Sequence, residues 1–330
     1  MNRSIYIYSK GDLRRKDNTL EFTSLDNEVR SIPITEILDL YIMSEMTMTT
    51  KILDLLAKYG VVVHFFDYYT HYVGSFYPRE TLLAGNILTK QVQAYLDPQH
   101  RLFLAQQFVS GAADSILRNL KYYQQRTIDV QDTIEQITQM QKQIDYSRNV
   151  PELMGVEGNI HTSYYSAFNL ITNRRFEFGK RVKHPAGNEM NAMISFVNSL
   201  IYTKCLSEIY RTQLNPTVSY LHEPGVRRFS LSLDITEIFK PLIGDRLIFS
   251  LINKGQIKEN DFEKQLSGMY LKKSASQIVA KAMDERFQTT IKHRVLHKNV
   301  SYQYLMRLEC YKLIKDITGE KAYSPFSIWW

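Results

Sequence analysis

The feature that most constrains the fold is a change of hydrophobic period between residues 76 and 90. Before it, apolar residues fall in short runs: IYIYS (5–9), TLEFTS (19–24), EVRSIPI (28–34), ILDLYIM (37–43), VVVHFFD (61–67) and HYVGSF (71–76). Turn-rich breaks such as SKGDLRRKDN and SLDN separate them, so strands in a meander or small sandwich are expected. One helix interrupts this pattern at 49–59, where Ile52, Leu55, Leu56 and Tyr59 share a face, a Thr cap precedes and Gly60 follows. Beyond the change, apolar residues recur every three or four positions in blocks at about 80–95, 98–125, 127–147, 158–178, 188–211, 234–252, 259–266, 274–296 and 301–317. The pattern therefore predicts an α+β chain: a small N-terminal β-rich domain, residues 1–80, followed by a larger all-helical domain, residues 81–330. Within the latter, Ile128, Ile134, Ile137, Met140 and Ile144 sit among Gln, Asp and Thr, which predicts an exposed amphipathic helix suited to packing or a partner.

Length and composition fit this reading. At 330 residues the chain is long enough for about two domains, and its 44% hydrophobic and 23% charged content is that of a globular protein. No stretch reaches the ~20 apolar residues of a spanning helix, and the polar start MNRSIYIYSKGD is no secretory signal, so a cytoplasmic protein without membrane contact is expected. Cys205 and Cys310 are too few for a disulfide framework and lack metal-site spacing. The charge balance, 41 Lys and Arg against 34 Asp and Glu, gives +7, and 22 Tyr are present. A basic, tyrosine-rich surface permits nucleic-acid binding without requiring it.

Chemistry concentrates in three segments: MGVEGNIHTSYY (154–165), NPTVSYLHEPGVRRFS (215–230) and LSLDITEIFKP (231–241). Gly155 and Gly158 bracket Glu157 at an expected helix start, where a carboxylate either points to solvent or joins a site. His222 precedes the turn Glu223-Pro224-Gly225, which can hold its imidazole for one purpose or merely for structure. Asp234 and Glu237, three apart, share a helical side, yet Asp234 equally suits an N-cap with Glu237 as its capping-box partner. Together these carboxylates and one imidazole make a set for Mg2+, or for Mn2+ given the nitrogen ligand, that can act on a phosphodiester. Glu157 and His161, four apart, form a competing local pair. The other histidines suit core, surface or phosphate-contact roles. Basic clusters at Arg174, Arg175, Lys180, Arg181 and Lys183, at Arg227 and Arg228, and at Lys292, Arg294 and Lys298 suit a phosphate-tracking, DNA-binding surface.

An ordered set of motifs then resembles one family. The segments EGNIHTSYY (157–165), NAMISF (191–196), LHEPG (221–225), LDITEIFKP (233–241), LECYKL (308–313) and GEKAYSPF (319–326), with SKGDL, NTLEF, IPI (32–34) and GSFYPRE (74–80), resemble the CRISPR-associated spacer-acquisition integrases. The resemblance covers nearly the whole chain. It implies an N-terminal β domain that takes part in dimerisation, a helical catalytic domain, and a complex with a small "Cas-two" dimer that inserts double-stranded DNA fragments into a CRISPR array. It maps the metal ligands to Glu157, His222 and Glu237, with Asp234 as a near-site support or alternate ligand. Tyr164 and Tyr165 match the family's aromatic pair, and Asn191 its Asn-Ala motif. The stretch KRVKHPAGNEMNA (180–192) departs from the more proline-rich family pattern, and 126–150 matches no motif. The implied reaction is metal-assisted transesterification by the 3′-hydroxyl of the incoming fragment. A general nuclease for branched or damaged DNA and a non-catalytic DNA-binding scaffold are the alternatives.

Overall fold

The computed structural model describes residues 2–182, 185–225, 229–265 and 268–327. Backbone contacts divide the chain into two units: residues up to Thr81 with Leu271–Gln277, and Leu82–Tyr270 with the residues from Ile278 onward.

The first unit holds β1 (Arg3–Ile7), β2 (Gly11–Lys16), β3 (Thr19–Ser24), β4 (Val29–Pro33), β5 (Ile37–Ile42), β6 (Met46–Met48), α1 (Thr50–Lys58), β7 (Val62–Phe66) and β8 (Tyr72–Phe76). It is not a plain meander. Two four-stranded sheets form, β1-β5-β7-β8 and β4-β3-β2-β6, and the pairs β1–β5, β5–β7 and β2–β6 are parallel. The helix α1 is the reason for one of these pairs: it carries the chain from β6 back to β7, which can then run alongside β5 in the same direction. Leu13, Leu20, Phe22, Leu40, Ile42, Ile52, Leu55, Leu56 and Val63, drawn from both sheets and α1, form one core. Thr49 occupies the N-cap of α1, but its hydroxyl makes no capping bond. At the other end Gly60, with φ of 65°, lets its N–H donate to the Ala57 carbonyl and the Val61 N–H to the Leu56 carbonyl, and the helix stops where expected.

The second unit holds α2 (Gly85–Leu96), α3 (Pro98–Gln124), α4 (Gln131–Ile144), α5 (Val150–Ser166), α6 (Phe168–Ile171), α7 (Glu189–Tyr210), α8 (Ser230–Phe239), a π-helical turn (Lys240–Asp245), α9 (Arg246–Asn253), β9 (Phe262–Gln265), β10 (Gly268–Leu271), α10 (Lys273–Gln288), β11 (Thr290–Lys292), β12 (Asn299–Ser301) and α11 (Tyr302–Ile317), with β10 and α10 running across the unit boundary. Helix α3 is the spine, packed against α4, α5 and α8, while α7 packs against α8 and α11. The predicted amphipathic helix is α4, and it buries Ile134, Ile137 and Ile144 against α3 and α5.

Two short two-stranded sheets add to the helical unit. The block 259–266 predicts a helix, yet Phe262–Gln265 pairs with β10; a block this short has little helical stability of its own and yields to strand pairing. The block 274–296 also ends early, at Gln288, where Thr289 and Thr290 lead into β11. Among the described residues no helix is long and apolar enough to cross a membrane. Cys205 and Cys310 are free, buried thiols that burial holds in the neutral form.

Candidate metal centre

Helix α5 begins earlier than the glycines suggest. Asn149 caps it, its Oδ1 accepting the Glu152 N–H at 2.9 Å, and Pro151 stands in the first turn. Glu157 is consequently not at a helix start but in mid-helix, one turn before His161. The i,i+4 spacing brings His161 Nε2 to 3.1 Å from Glu157 Oε1.

Helix α8 likewise begins at Ser230, so Asp234 is an interior residue and not an N-cap; Phe229 holds that position. Fully buried, Asp234 turns its carboxylate onto the preceding loop. Its Oδ2 accepts the N–H groups of Tyr220 (2.6 Å) and Leu221 (3.0 Å), and its Oδ1 accepts the N–H of His222 (2.9 Å). The same Oδ1 lies 2.9 Å from His222 Nδ1. This set of bonds fixes the His222 ring and leaves Nε2 on the side of Glu237, an arrangement common where a carboxylate orients a metal-binding histidine.

The two helices meet at Glu237. Its Oε2 lies 3.6 Å from His161 Nε2 and its Oε1 3.9 Å from His222 Nε2, and the Lys240 ammonium contacts Oε1 from one turn on. Ligand atoms of Glu157, His161 and Glu237 all lie within 4.8 Å of one another. The structure thus brings Glu157, Glu237, His222 and Asp234 together and adds His161 and Lys240. Glu157-x-x-x-His161 and Glu237-x-x-Lys240 were the available sequence signals for these two, but each spacing alone is common on helices.

Electrostatics show a site short of positive charge. Burial by itself raises the Glu237 carboxyl, yet Lys240, His161 and His222 together hold it well below the usual range. Burial depresses His161, but hydrogen bonds to Glu157 and Glu237 overcome this and raise it to about 10. His222 is also raised, its bond to Asp234 outweighing burial. Nearby Asp245, fully buried, is pushed up from 3.8 to about 7 by desolvation. His161 Nδ1 is buried without a hydrogen-bond partner. Buried carboxylates that draw in protons and an ammonium, beside two imidazoles, form an oxygen–nitrogen donor set that fits a divalent cation.

The remaining expected residues are placed as follows. Tyr164 is fully buried, its hydroxyl accepting from Asn119 Nδ2 at 3.0 Å, whereas the Tyr165 ring lies 5.7 Å from that of His161. Asn191 clamps the loop before α7: its Oδ1 accepts from Val182 N (2.8 Å) and Arg181 Nη1 (3.0 Å), and its Nδ2 donates to the Lys180 carbonyl (2.9 Å). Arg181 also donates to Ser195 Oγ at 3.0 Å, so it serves this loop. Arg175 donates to the Ile252 carbonyl at the end of α9 (2.8 Å), while Arg174, Lys292 and Arg294 are exposed. Lys183, Arg227 and Arg228 lie outside the described residues.

The family model for CRISPR associated protein Cas1 matches residues 5–285. A CRISPR-associated endonuclease Cas1 of Fusobacterium nucleatum is 52% identical over 330 residues, covering 100% of this chain and 98% of that protein. A solved Cas1 protein from Thermotoga maritima is similar with a TM-score of 0.89 at 34% identity, over 98% of this chain and 100% of its own. A casposase solved bound to an integration product shares the fold, with a TM-score of 0.87 at 21% identity over 98% of this chain and 93% of its own.

Proposed function

Because this chain belongs to the CRISPR-associated Cas1 family, we propose that it is a DNA integrase and endonuclease of CRISPR adaptation, joining foreign DNA fragments into a CRISPR array as new spacers. The observation that carries the reading is the convergence of Glu157, His161 and Glu237, with His222 held beside them by Asp234. Caps and surface charges, the scaffold alternative, do not account for a carboxylate at Glu237 that is only 4% exposed and faces two imidazoles.

Glu157, Glu237 and His222 would hold a Mg2+ or Mn2+ ion, with His161 adjoining, and the bound ion would polarise a phosphoryl oxygen and stabilise charge on the attacking and leaving oxygens. In the reaction, the fragment's 3′-oxygen forms a bond to phosphorus and gives up its proton. The phosphorus–oxygen bond to the array's own 3′-oxygen breaks, and that oxygen takes up a proton. One phosphodiester replaces another, so no nucleotide cofactor is consumed. Asp234 keeps the His222 Nε2 turned to the site, and Lys240 beside Glu237 supplies a fixed positive charge against a phosphate oxygen. With water as nucleophile the same residues hydrolyse the bond, which agrees with the endonuclease name of the 52% identical relative.

We extend the proposal to the rest of the protein: residues 81–330 are the catalytic part, the β-rich part at 1–80 is the dimerisation element, double-stranded DNA is the substrate, a small Cas-two dimer is the partner, and the cytoplasm is the compartment.

Strand transfer of a short duplex with free 3′-hydroxyl ends into a supercoiled repeat-bearing plasmid, with the partner and Mn2+ or Mg2+, tests this. Joined product should disappear in Glu237→Ala and Glu157→Ala while DNA binding persists. Full joining by either variant would overturn the site assignment, and cleavage without joining would leave a nuclease.

A further inference from the structure

Helices α5 and α8, which carry Glu157 and Glu237, both pack on α3 and make no extensive contact with each other. The separation of the two carboxylates is therefore set largely through α3. Apolar packing alone fixes such a separation loosely, because a core loses uniqueness of arrangement before it loses stability. A metal centre needs its donors placed to within about 0.5 Å. Directional bonds from α3 to both helices would supply that precision, and one residue makes them.

Asn119 lies near the end of α3 and is fully buried. Its Nδ2 donates to the Tyr164 hydroxyl of α5 at 3.0 Å and to the Pro241 carbonyl of the π-helical turn at 2.6 Å, while its Oδ1 accepts from Arg246 Nε at the start of α9. A guanidinium can only donate, so Arg246 settles which end of the amide is the oxygen and aims both amide hydrogens at α5 and the turn. Tyr164 stands seven residues after Glu157, two turns along the same face of α5, and Pro241 stands four residues after Glu237. The tie points thus lie in register with the two carboxylates. Burying an amide costs free energy that its hydrogen bonds do little more than offset, so an apolar side chain would fill this place at no loss of stability. What the amide adds is direction.

We propose that Asn119 is a positioning residue of the metal centre: by holding Tyr164 and Pro241 to one oriented amide, it fixes the separation at which Glu157 and Glu237 reach a single cation. The inference rests on the metal-centre reading above and adds to it a residue outside the donor set.

The test is calorimetric titration of the full chain with Mn2+, alongside strand-transfer kinetics and melting in chelator. Asn119→Ala removes all three bonds. Asn119→Asp keeps an oxygen for Arg246 but sets a second oxygen, in place of both N–H groups, against the Pro241 carbonyl. Each variant should bind Mn2+ about tenfold more weakly and lower kcat about tenfold with KM for DNA unchanged. If Asn119→Ala does not fold, Asn119→Asp decides. The control is Met283→Ala, a fully buried site on α10, which has no extensive contact with α5 or α8. It should lower the melting point yet bind Mn2+ like the parent. Parent-like Mn2+ affinity in either folded Asn119 variant would overturn the proposal, and so would an equal loss in Met283→Ala, which would tie affinity to overall stability. Glu237→Ala separates the two readings. If it binds Mn2+ like the parent, the metal centre itself is misassigned and the role of Asn119 falls with it; if it loses Mn2+ while both Asn119 variants keep it, only the positioning role fails.

Discussion

Asp234 accepts three backbone N–H groups and faces one imidazole nitrogen, and both of its oxygens are engaged. An Asp234→Asn amide puts an NH2 where those donors need an acceptor. The expected loss is about 2–4 kcal/mol of stability and 10- to 100-fold in metal affinity, read by urea unfolding and by calorimetric titration with Mn2+. Asp245 makes a different prediction. Its folded pKa of about 7 lies above the ordinary 3.8, so the folded state binds the proton more tightly. Stability therefore falls as pH rises from about 4 towards 7 and stays reduced above that. In chelator, Asp245→Asn should remove this slope and, by urea unfolding, be more stable than the parent at pH 8 by on the order of 2–4 kcal/mol. Equal slopes in the two proteins would show that Asp245 titrates normally.

At the scale of elements, the site depends on how closely α3 passes α8. Gly111 of α3 has no room for a side chain: a Cβ there would stand 2.8 Å from Pro325 Cβ and 3.2 Å from Ile238 Cγ1, next in sequence to Glu237. Gly111→Ala should cost about 1–3 kcal/mol by overpacking, seen as a lower melting point. The closest clash is with Pro325, but Ile238 must also give, so metal affinity should weaken in the same variant, and its full retention would mean that the segment around Pro325 absorbs the strain. The π-helical turn after α8 has a local cause. Pro241 has no N–H to offer the Glu237 carbonyl, so the α-helical ladder cannot continue past Glu237.

For the whole molecule, a cation bound by residues from α5, α8 and the 220–222 turn binds the folded state only. At a hundredfold excess over its dissociation constant it should add about 2.7 kcal/mol, or roughly 4 °C in melting temperature. Differential scanning calorimetry should show that shift with Mn2+ and none in Glu157→Ala/Glu237→Ala. Chelation should abolish strand transfer and leave duplex binding intact. With a net charge of +7, that duplex binding should weaken steeply with added salt.

Much of this protein was legible in one dimension because two signals are local. The switch from short apolar runs to a period of three or four separates strands from helices through side-chain geometry alone. Motif order carried the family, and residue type named Glu157, His222, Asp234 and Glu237. What depended on partners distant in sequence was settled by tertiary structure. Parallel pairing of β1 with β5, the strand at Phe262–Gln265 and the early starts of α5 and α8 all rest on contacts that no window of the sequence contains. Asp234 illustrates the difference: its spacing to Glu237 is equally that of a capping box, and only the arrival of residues 220–222 beside it turns the carboxylate into the support of His222. His161 likewise gains weight only when α8 brings Glu237 to a carboxylate–imidazole pair already formed along α5. Local periodicity reflects the chain's own geometry, whereas a site requires segments to converge, and convergence is a property of the packed core.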